Sequence, residues 1–330
     1  MEEVVEALLS ADREAQIVAA RALGNLTSKQ RHKLAARGVV PPLVLMLDEE
    51  DCDTIEAALF ALLSLAFGSE RNKICIAKSG AIPVLLKLLQ CQNWSLISLA
   101  IAALLILSSC AANKLAIAAS GAIQLLVEFL NGDNTITMQA KLDIISTLHN
   151  LSTCRQIIPS IVLSGAVLSL LQLIHGSEKS SELVEKAMAL LEKIVSSSEI
   201  ALIETAGTGD AIQALVEAIE EGSPLCKEHA VGILLLICQS CRERYRGEIL
   251  REGAMPGLLQ LSVDGTRRAK KMAQALLLLL RDCCSSSTRD SIRKQWKNVL
   301  LEQAMEQIEM EDRVETGLNL VEEMIAKLSA

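Results

Sequence analysis

Six times along the chain a glycine closes a helical pattern and an apolar run follows at once. The fullest copy is Lys78-Ser79-Gly80-Ala81-Ile82-Pro83-Val84-Leu85-Leu86-Lys87-Leu88-Leu89. Glycine just past a helix end takes a left-handed backbone without a Cβ penalty. Proline in a first helical turn gives up an N–H that has no helical partner there. The residues after Pro83 carry the apolar density of a largely buried helix. Other copies read Arg37-Gly38-Val39-Val40-Pro41-Pro42, Ser120-Gly121-Ala122-Ile123, Ser164-Gly165-Ala166-Val167, Thr208-Gly209-Asp210-Ala211-Ile212 and Glu252-Gly253-Ala254-Met255-Pro256. The six glycines are 42, 41, 44, 44 and 44 residues apart.

Helical self-similarity at a period of roughly 40 to 47 residues reads as a HEAT or armadillo array. Stacked repeats share one continuous core, so 330 residues need not mean two domains. Hydrophobic residues make up 51% and aromatics only 2%, which leaves a core of Leu, Ala, Ile and Val. Such side chains pack helix on helix by ridges and grooves. The expected fold class is therefore all-α, a right-handed superhelix of about six to seven repeats over residues 1–282, with a linker at 283–288 and a helical tail at 289–330.

Two short helices open the chain, Val4 to Leu9 and Glu14 to Thr27, with Ser10-Ala11-Asp12 as turn and cap. Each later unit places a short polar turn after the glycine phrase and then a longer apolar helix. Those helices are expected at Thr54 to Ala66, Trp94 to Ser108, Thr135 to Ser152, Ser181 to Ser196, Pro224 to Gln239 and Thr266 to Asp282. Gly207-Thr208-Gly209 marks the fifth unit as the least regular, with a distorted junction or a small loop.

Ala22-Leu23-Gly24-Asn25-Leu26 resembles the armadillo motif A-L-x-N-L, and Glu70-Arg71-Asn72-Lys73 and Ala112-Asn113-Lys114 resemble its E-N-K connectors. Asp264-Gly265-Thr266-Arg267-Arg268-Ala269-Lys270-Lys271 is similar to the way the armadillo domains of plant U-box ubiquitin ligases and plant armadillo-only proteins end. The resemblance covers about residues 1 to 282. It implies a concave groove lined by the third helix of each repeat and a non-enzymatic role as scaffold or adaptor for partner proteins. The alternative it implies is a substrate-recognition component in protein ubiquitination. Because Met1 leads directly into the first repeat, no U-box is expected here, nor ligase activity by this chain alone.

By the same resemblance, the groove positions are Arg21, Asn25, Phe60, Ser64, Ile106, Ser146, Asn150 and Lys193. Importin-α has a Trp four residues before each motif Asn; here those positions hold Arg21, Phe60, Ala102, Ser146, Ala189 and Gly232. Trp94 and Trp296 lie elsewhere, so a nuclear-import receptor is not expected. Ile106 and Leu236 make the groove partly apolar, which suits a helix or side-chain anchor. Glu56, Glu185 and Glu228 each stand eight residues before a motif position and read as a solvated face or as an acidic rim for basic partners. His149 reads as a half-exposed helix residue, with ligand contact as the alternative.

Residues 242 to 281 hold nine bases and four acids, a local excess of +5 in a chain of net −8. Arg242, Arg244, Arg246, Arg267, Arg268, Lys270 and Lys271 form a candidate basic patch there. Residues 301 to 330 hold eight acids against Arg313 and Lys327. The tail is thus expected to fold back on the last repeats; a patch left free for an acidic partner or phosphate is the rival reading. The overall acidity argues against general nucleic-acid binding.

No P-loop, G-x-G-x-x-G, H-E-x-x-H or G-x-S-x-G occurs, so neither enzyme nor cofactor is expected. Cys238-Gln239-Ser240-Cys241 lacks a second CxxC or a His pair, and the ten cysteines read as ordinary thiols in a reducing compartment, with no metal. No run reaches the ~18 charge-free apolar residues of a membrane span. The first residues lack a basic n-region. Cytoplasm or nucleus is the expected location.

Overall fold

The computed structural model describes residues 2–281 apart from Ala11, Asn25 and 133–135. The expected linker at 283–288 and tail at 289–330 lie outside the described residues. The chain divides into two units after Leu280, and the first is the helical array.

The array opens with a pair, α1 (Glu2–Leu9) and α2 (Arg13–Gly24), and continues as six triplets. They are α3 (Ser28–Ala36), α4 (Val40–Met46) and α5 (Cys52–Ala66); α6 (Glu70–Lys78), α7 (Ala81–Leu89) and α8 (Trp94–Ser108); α9 (Ala111–Ala119), α10 (Ala122–Asn131) and α11 (Met138–Ser152). Then come α12 (Ile158–Leu163, led by a 3₁₀ turn), α13 (Ala166–His175) and α14 (Glu182–Ser197); α15 (Glu199–Gly207), α16 (Ala211–Glu221) and α17 (Pro224–Ser240); α18 (Arg242–Arg251), α19 (Ala254–Asp264) and α20 (Arg267–Leu280). The described residues contain no strand.

Local chemistry explains the boundaries. Gly80 and Gly121 have φ of 89° and 87°, the left-handed turn between a first and a second helix. Gly38, Gly165 and Gly253 repeat that conformation, and Gly209 does not. At that fifth junction α15 runs on to Gly207, and Asp210 at φ −102° leads into α16. The polar turns supply a cap for every third helix. Asp51, Asn93, Thr137, Ser181, Ser223 and Thr266 each accept a backbone N–H from the first turn of the helix they precede.

The third helices α2, α5, α8, α11, α14, α17 and α20 pack in succession and form the continuous layer of the array. Their inward faces are sealed by Leu59, Ile101, Leu104, Ile145, Leu190 and Leu234, all fully buried. Deleting one such leucine costs roughly 2–5 kcal/mol, so the layer rests mainly on apolar packing. Among the described residues no single helix is long and apolar enough to cross a membrane.

Candidate protein-binding face

The continuous third-helix layer fixes where side chains can present themselves in register. Arg21 lies on α2, Phe60 and Ser64 on α5, Ile106 on α8, Ser146 and Asn150 on α11, and Lys193 on α14. Arg21 is exposed, Phe60 is 50% exposed, and the other five are half-buried. Asn25 lies outside the described residues. Ala102, Ala189 and Leu236 are half-buried at equivalent places, and Gly232 is buried. Asn150 donates from Nδ2 to Ser108 Oγ of the preceding repeat at 3.1 Å. Ser146 donates its hydroxyl to Leu142 O within its own helix. These positions thus hold Phe60 and Ser64 on α5, Ala102 and Ile106 on α8, Ser146 and Asn150 on α11, and Ala189 and Lys193 on α14.

The connector residues serve the ends of these helices. Asn72 and Asn113 are buried, and their amides donate to Leu65 O at 2.8 Å and Leu107 O at 3.2 Å. Asn113 also reaches Lys73 O at 3.1 Å. Lys73 and Lys114 donate to Ser109 and Thr153, the C-caps of α8 and α11, at 2.7 and 2.6 Å. Arg31 makes the matching bond to Ser64 O at 2.6 Å. Each tie brings a first-helix cation to the negative end of the third helix of its own triplet.

A different arrangement joins the last repeats. Glu192 on α14, with its side chain 11% exposed, receives Arg268 at 2.5 Å and His229 Nδ1 at 2.7 Å. Because the carboxylate can only accept, the His229 proton sits on Nδ1. Arg268 also reaches Glu228 at 3.2 Å. Burial alone pushes the Glu192 carboxyl up, but the His229 hydrogen bond and the Arg268 charge outweigh it and hold the group below its ordinary value. Gly232 makes the room, since a Cβ there would stand 2.2 Å from Glu192 Oε1. Two of the three spaced acids are engaged as well. Ser223 donates to Glu185, and Thr266 donates to Glu228. Glu56 is half-buried.

Several residues of the basic stretch therefore serve the fold. Arg242 donates to Leu279 O at 2.6 Å and Arg246 to Leu280 O at 2.8 Å, closing the C-terminus of α20. Arg268 is held by the two glutamates. Arg244 lies 5.0 Å over the Tyr245 ring. Arg267 and Lys271 are exposed and Lys270 is half-buried. His149 is half-buried on α11, where burial first, and then Lys193, His229 and Lys114, push its pKa down. Cys238 is buried and Cys241 exposed, and both are free thiols. Burial pushes Cys238 up and Cys226 up to about 11, which leaves both protonated and unreactive at neutral pH. Among the described residues no group of three His, Cys, Asp or Glu could hold a metal ion.

Sequence reasoning missed the Glu192–His229–Arg268 cluster. The one available signal was local: a glutamate inside the apolar run Leu190-Leu191-Glu192-Lys193-Ile194, and a glycine inside α17.

Triplets of helices stacked through a continuous third-helix layer define an armadillo-repeat solenoid. Solved structures carry the same fold. An engineered protein superposes with a TM-score of 0.73 at 25% identity, covering 84% of this chain and 67% of its own. A designed armadillo repeat protein, solved in complex with the peptide (KR)4, superposes with a TM-score of 0.62 at 22% identity, covering 73% of this chain and 99% of its own. The family profile of the plant U-box protein ARM repeat region matches residues 133–297, and the chain belongs to that family. U-box domain-containing protein 45 of Arabidopsis thaliana is 30% identical over 239 residues, which are 72% of this chain and 30% of the relative. U-box domain-containing protein 17 of the same plant is 33% identical over 292 residues, 83% of this chain and 37% of the relative. The chain thus spans about a third of the length of these relatives.

Proposed function

We propose that this chain is a non-enzymatic scaffold that binds partner proteins through the solvent-facing stripe of its third helices. The observation that carries the reading is the half-exposed Phe60, one turn before Ser64, with Ile106 at the position equivalent to Ser64 in the next repeat, on a rigid layer. A large apolar side chain held open by rigid neighbours is an anchor, and a receptor already ordered loses little entropy on binding. The polar continuation through Ser146, Asn150 and Lys193 offers an amide and a cation to orient the same partner.

Affinity capture from plant extract tests this, comparing the parent chain with the Phe60→Asp and Ile106→Asp variants. Proteins retained by the parent are expected to be lost from both variants while circular dichroism stays unchanged. An identical set of captured proteins would sink the reading. The family match favours one second reading, that the bound protein is a ubiquitination substrate. Recovery of a ubiquitin-conjugating enzyme and ubiquitylated material in the same capture would support it.

A further inference from the structure

Away from that stripe, the turns that lead into α5 and α8 enclose an open notch of about 780 Å³. Its apolar lining is Ile55, Leu88 and Leu96, all buried side chains. Trp94, the first residue of α8, also lines it and is 49% exposed. An indole left half in water at a fixed helix start is an unused aromatic surface. The turn is itself held in shape. Asn93 donates to Cys52 Sγ at 3.5 Å across the repeats, and Cys91 Sγ reaches Asn93 O at 3.7 Å.

The charged side chains that line the notch with the indole are Glu49 and Glu50. Residues 48–53 read Asp48-Glu49-Glu50-Asp51-Cys52-Asp53. Three of these carboxylates are committed: Asp48 to Lys87 at 2.7 Å, Glu49 to Arg13 at 2.6 Å, and Asp51 to the N–H of Thr54 at 3.0 Å. Glu50, which lines the notch, has no partner among the described residues. The start of α8 does not offset this charge with free amides, because Asn93 Oδ1 accepts from Ser95 and Leu96 N–H at 3.0 and 3.3 Å.

An apolar lining, an open aromatic face and an unpaired carboxylate together match a cation carried on an alkyl stem. The stem lies along the indole and the exposed edges of Ile55, Leu88 and Leu96, and the charged head meets the indole face and the carboxylate. We propose that this notch receives an arginine or lysine side chain from a basic segment of a partner protein. The site is separate from the third-helix stripe, so either can fail without the other.

The test uses the full chain carrying Trp296→Phe, which leaves Trp94 as the only tryptophan. The probes are the peptide acetyl-Gly-Arg-Gly-Arg-Gly-amide and its citrulline counterpart, which keeps the shape and loses the charge. Trp94 emission is expected to shift saturably with the arginine peptide and not with the citrulline peptide. Glu50→Gln should weaken binding, and Trp94→Leu, read by calorimetry, should weaken it by roughly fivefold or more. Both positions are exposed, so the thermal midpoint serves as the folding control. Equal responses to the two peptides would overturn the proposal, as would Glu50→Gln binding as tightly as the parent. A response to tetramethylammonium that matches the arginine peptide would also overturn it, because the notch would then be recognising a quaternary ammonium group.

Discussion

The early repeats and the late repeats use the same triplet and tie its third helix in different ways. From α3 to α11, cations on first helices reach forward to the C-terminal end of the next third helix: Arg31 to Ser64, Lys73 to Ser109, Lys114 to Thr153. The two lysine bonds are exposed, and each stays within its own triplet. From α14 to α20, beside the Arg242 and Arg246 bonds to the end of α20, buried or half-buried carboxylates run between third helices themselves. Glu185 takes the Ser223 hydroxyl, Glu228 takes Thr266, and Glu192 takes Arg268 from two repeats away. An exposed tie contributes little and costs little to lose. A buried charge is costly to leave alone, so its partners become obligatory.

Removing Arg268 should show the contrast most strongly. Arg268→Ala leaves Glu192 with His229 alone. The expected loss is about 2–3 kcal/mol, below the range for a fully buried pair because Arg268 is 38% exposed. The urea midpoint measures it. A loss under about 0.5 kcal/mol would mean that apolar packing alone joins the late repeats. The same cluster sets a pH dependence. The folded Glu192 carboxyl titrates below its ordinary value, and unfolding returns it there. Its contribution is complete above the ordinary carboxylate value and disappears as pH falls through the folded one. Glu192→Gln should therefore flatten the acid limb of thermal midpoint against pH; an unchanged limb would assign that limb to other carboxylates.

A pair of glycine substitutions sharpens the comparison. Gly232→Ala pushes a methyl into Glu192 and should cost about 2 kcal/mol, although alanine is the better helix former. Gly247→Ala in α18 meets nothing within 4 Å and should stabilise by about 0.5–1 kcal/mol. Equal effects in denaturant titration would show that the Glu192 site yields easily. Gly80→Val should cost about 1–2 kcal/mol, since it forces a β-branched residue into a left-handed turn. Gly209→Ala should lie near zero, because the fifth junction does not use that conformation. A Gly80→Val midpoint that does not move would break the account of the junctions.

The smallest effect is expected at the early ties. Lys73→Met and Lys114→Met should each lose about 0.5 kcal/mol, and less at high salt. Losses matching that of Arg268→Ala would erase the distinction between the two halves.

Much of the array was legible because it is written locally and repeatedly. The glycine phrase, the capping residue and the apolar third helix lie within one period, so spacing alone placed α8 from Trp94 to Ser108. The odd fifth junction was legible for the same reason, as Gly207-Thr208-Gly209 departs from its five siblings. The carboxylate ties were not. Glu192 and Arg268 are 76 residues apart, and no period brings a lone acid in one repeat to a lone base two repeats on. The basic stretch misled in a similar way. Charge counting cannot distinguish a cation facing solvent from Arg242 and Arg246, whose guanidinium groups close the end of α20.

The reach of Arg268 bears on how such a chain can grow or shrink by duplication. A copy of an early triplet inserted beside its parent carries both partners of its cation tie with it, so that tie survives the insertion. A triplet gained or lost between α14 and α20 separates a buried acid from its base and leaves both halves of the cluster stranded. The late triplets are thus inherited as a set, and length variation in this lineage should accumulate at the front of the array.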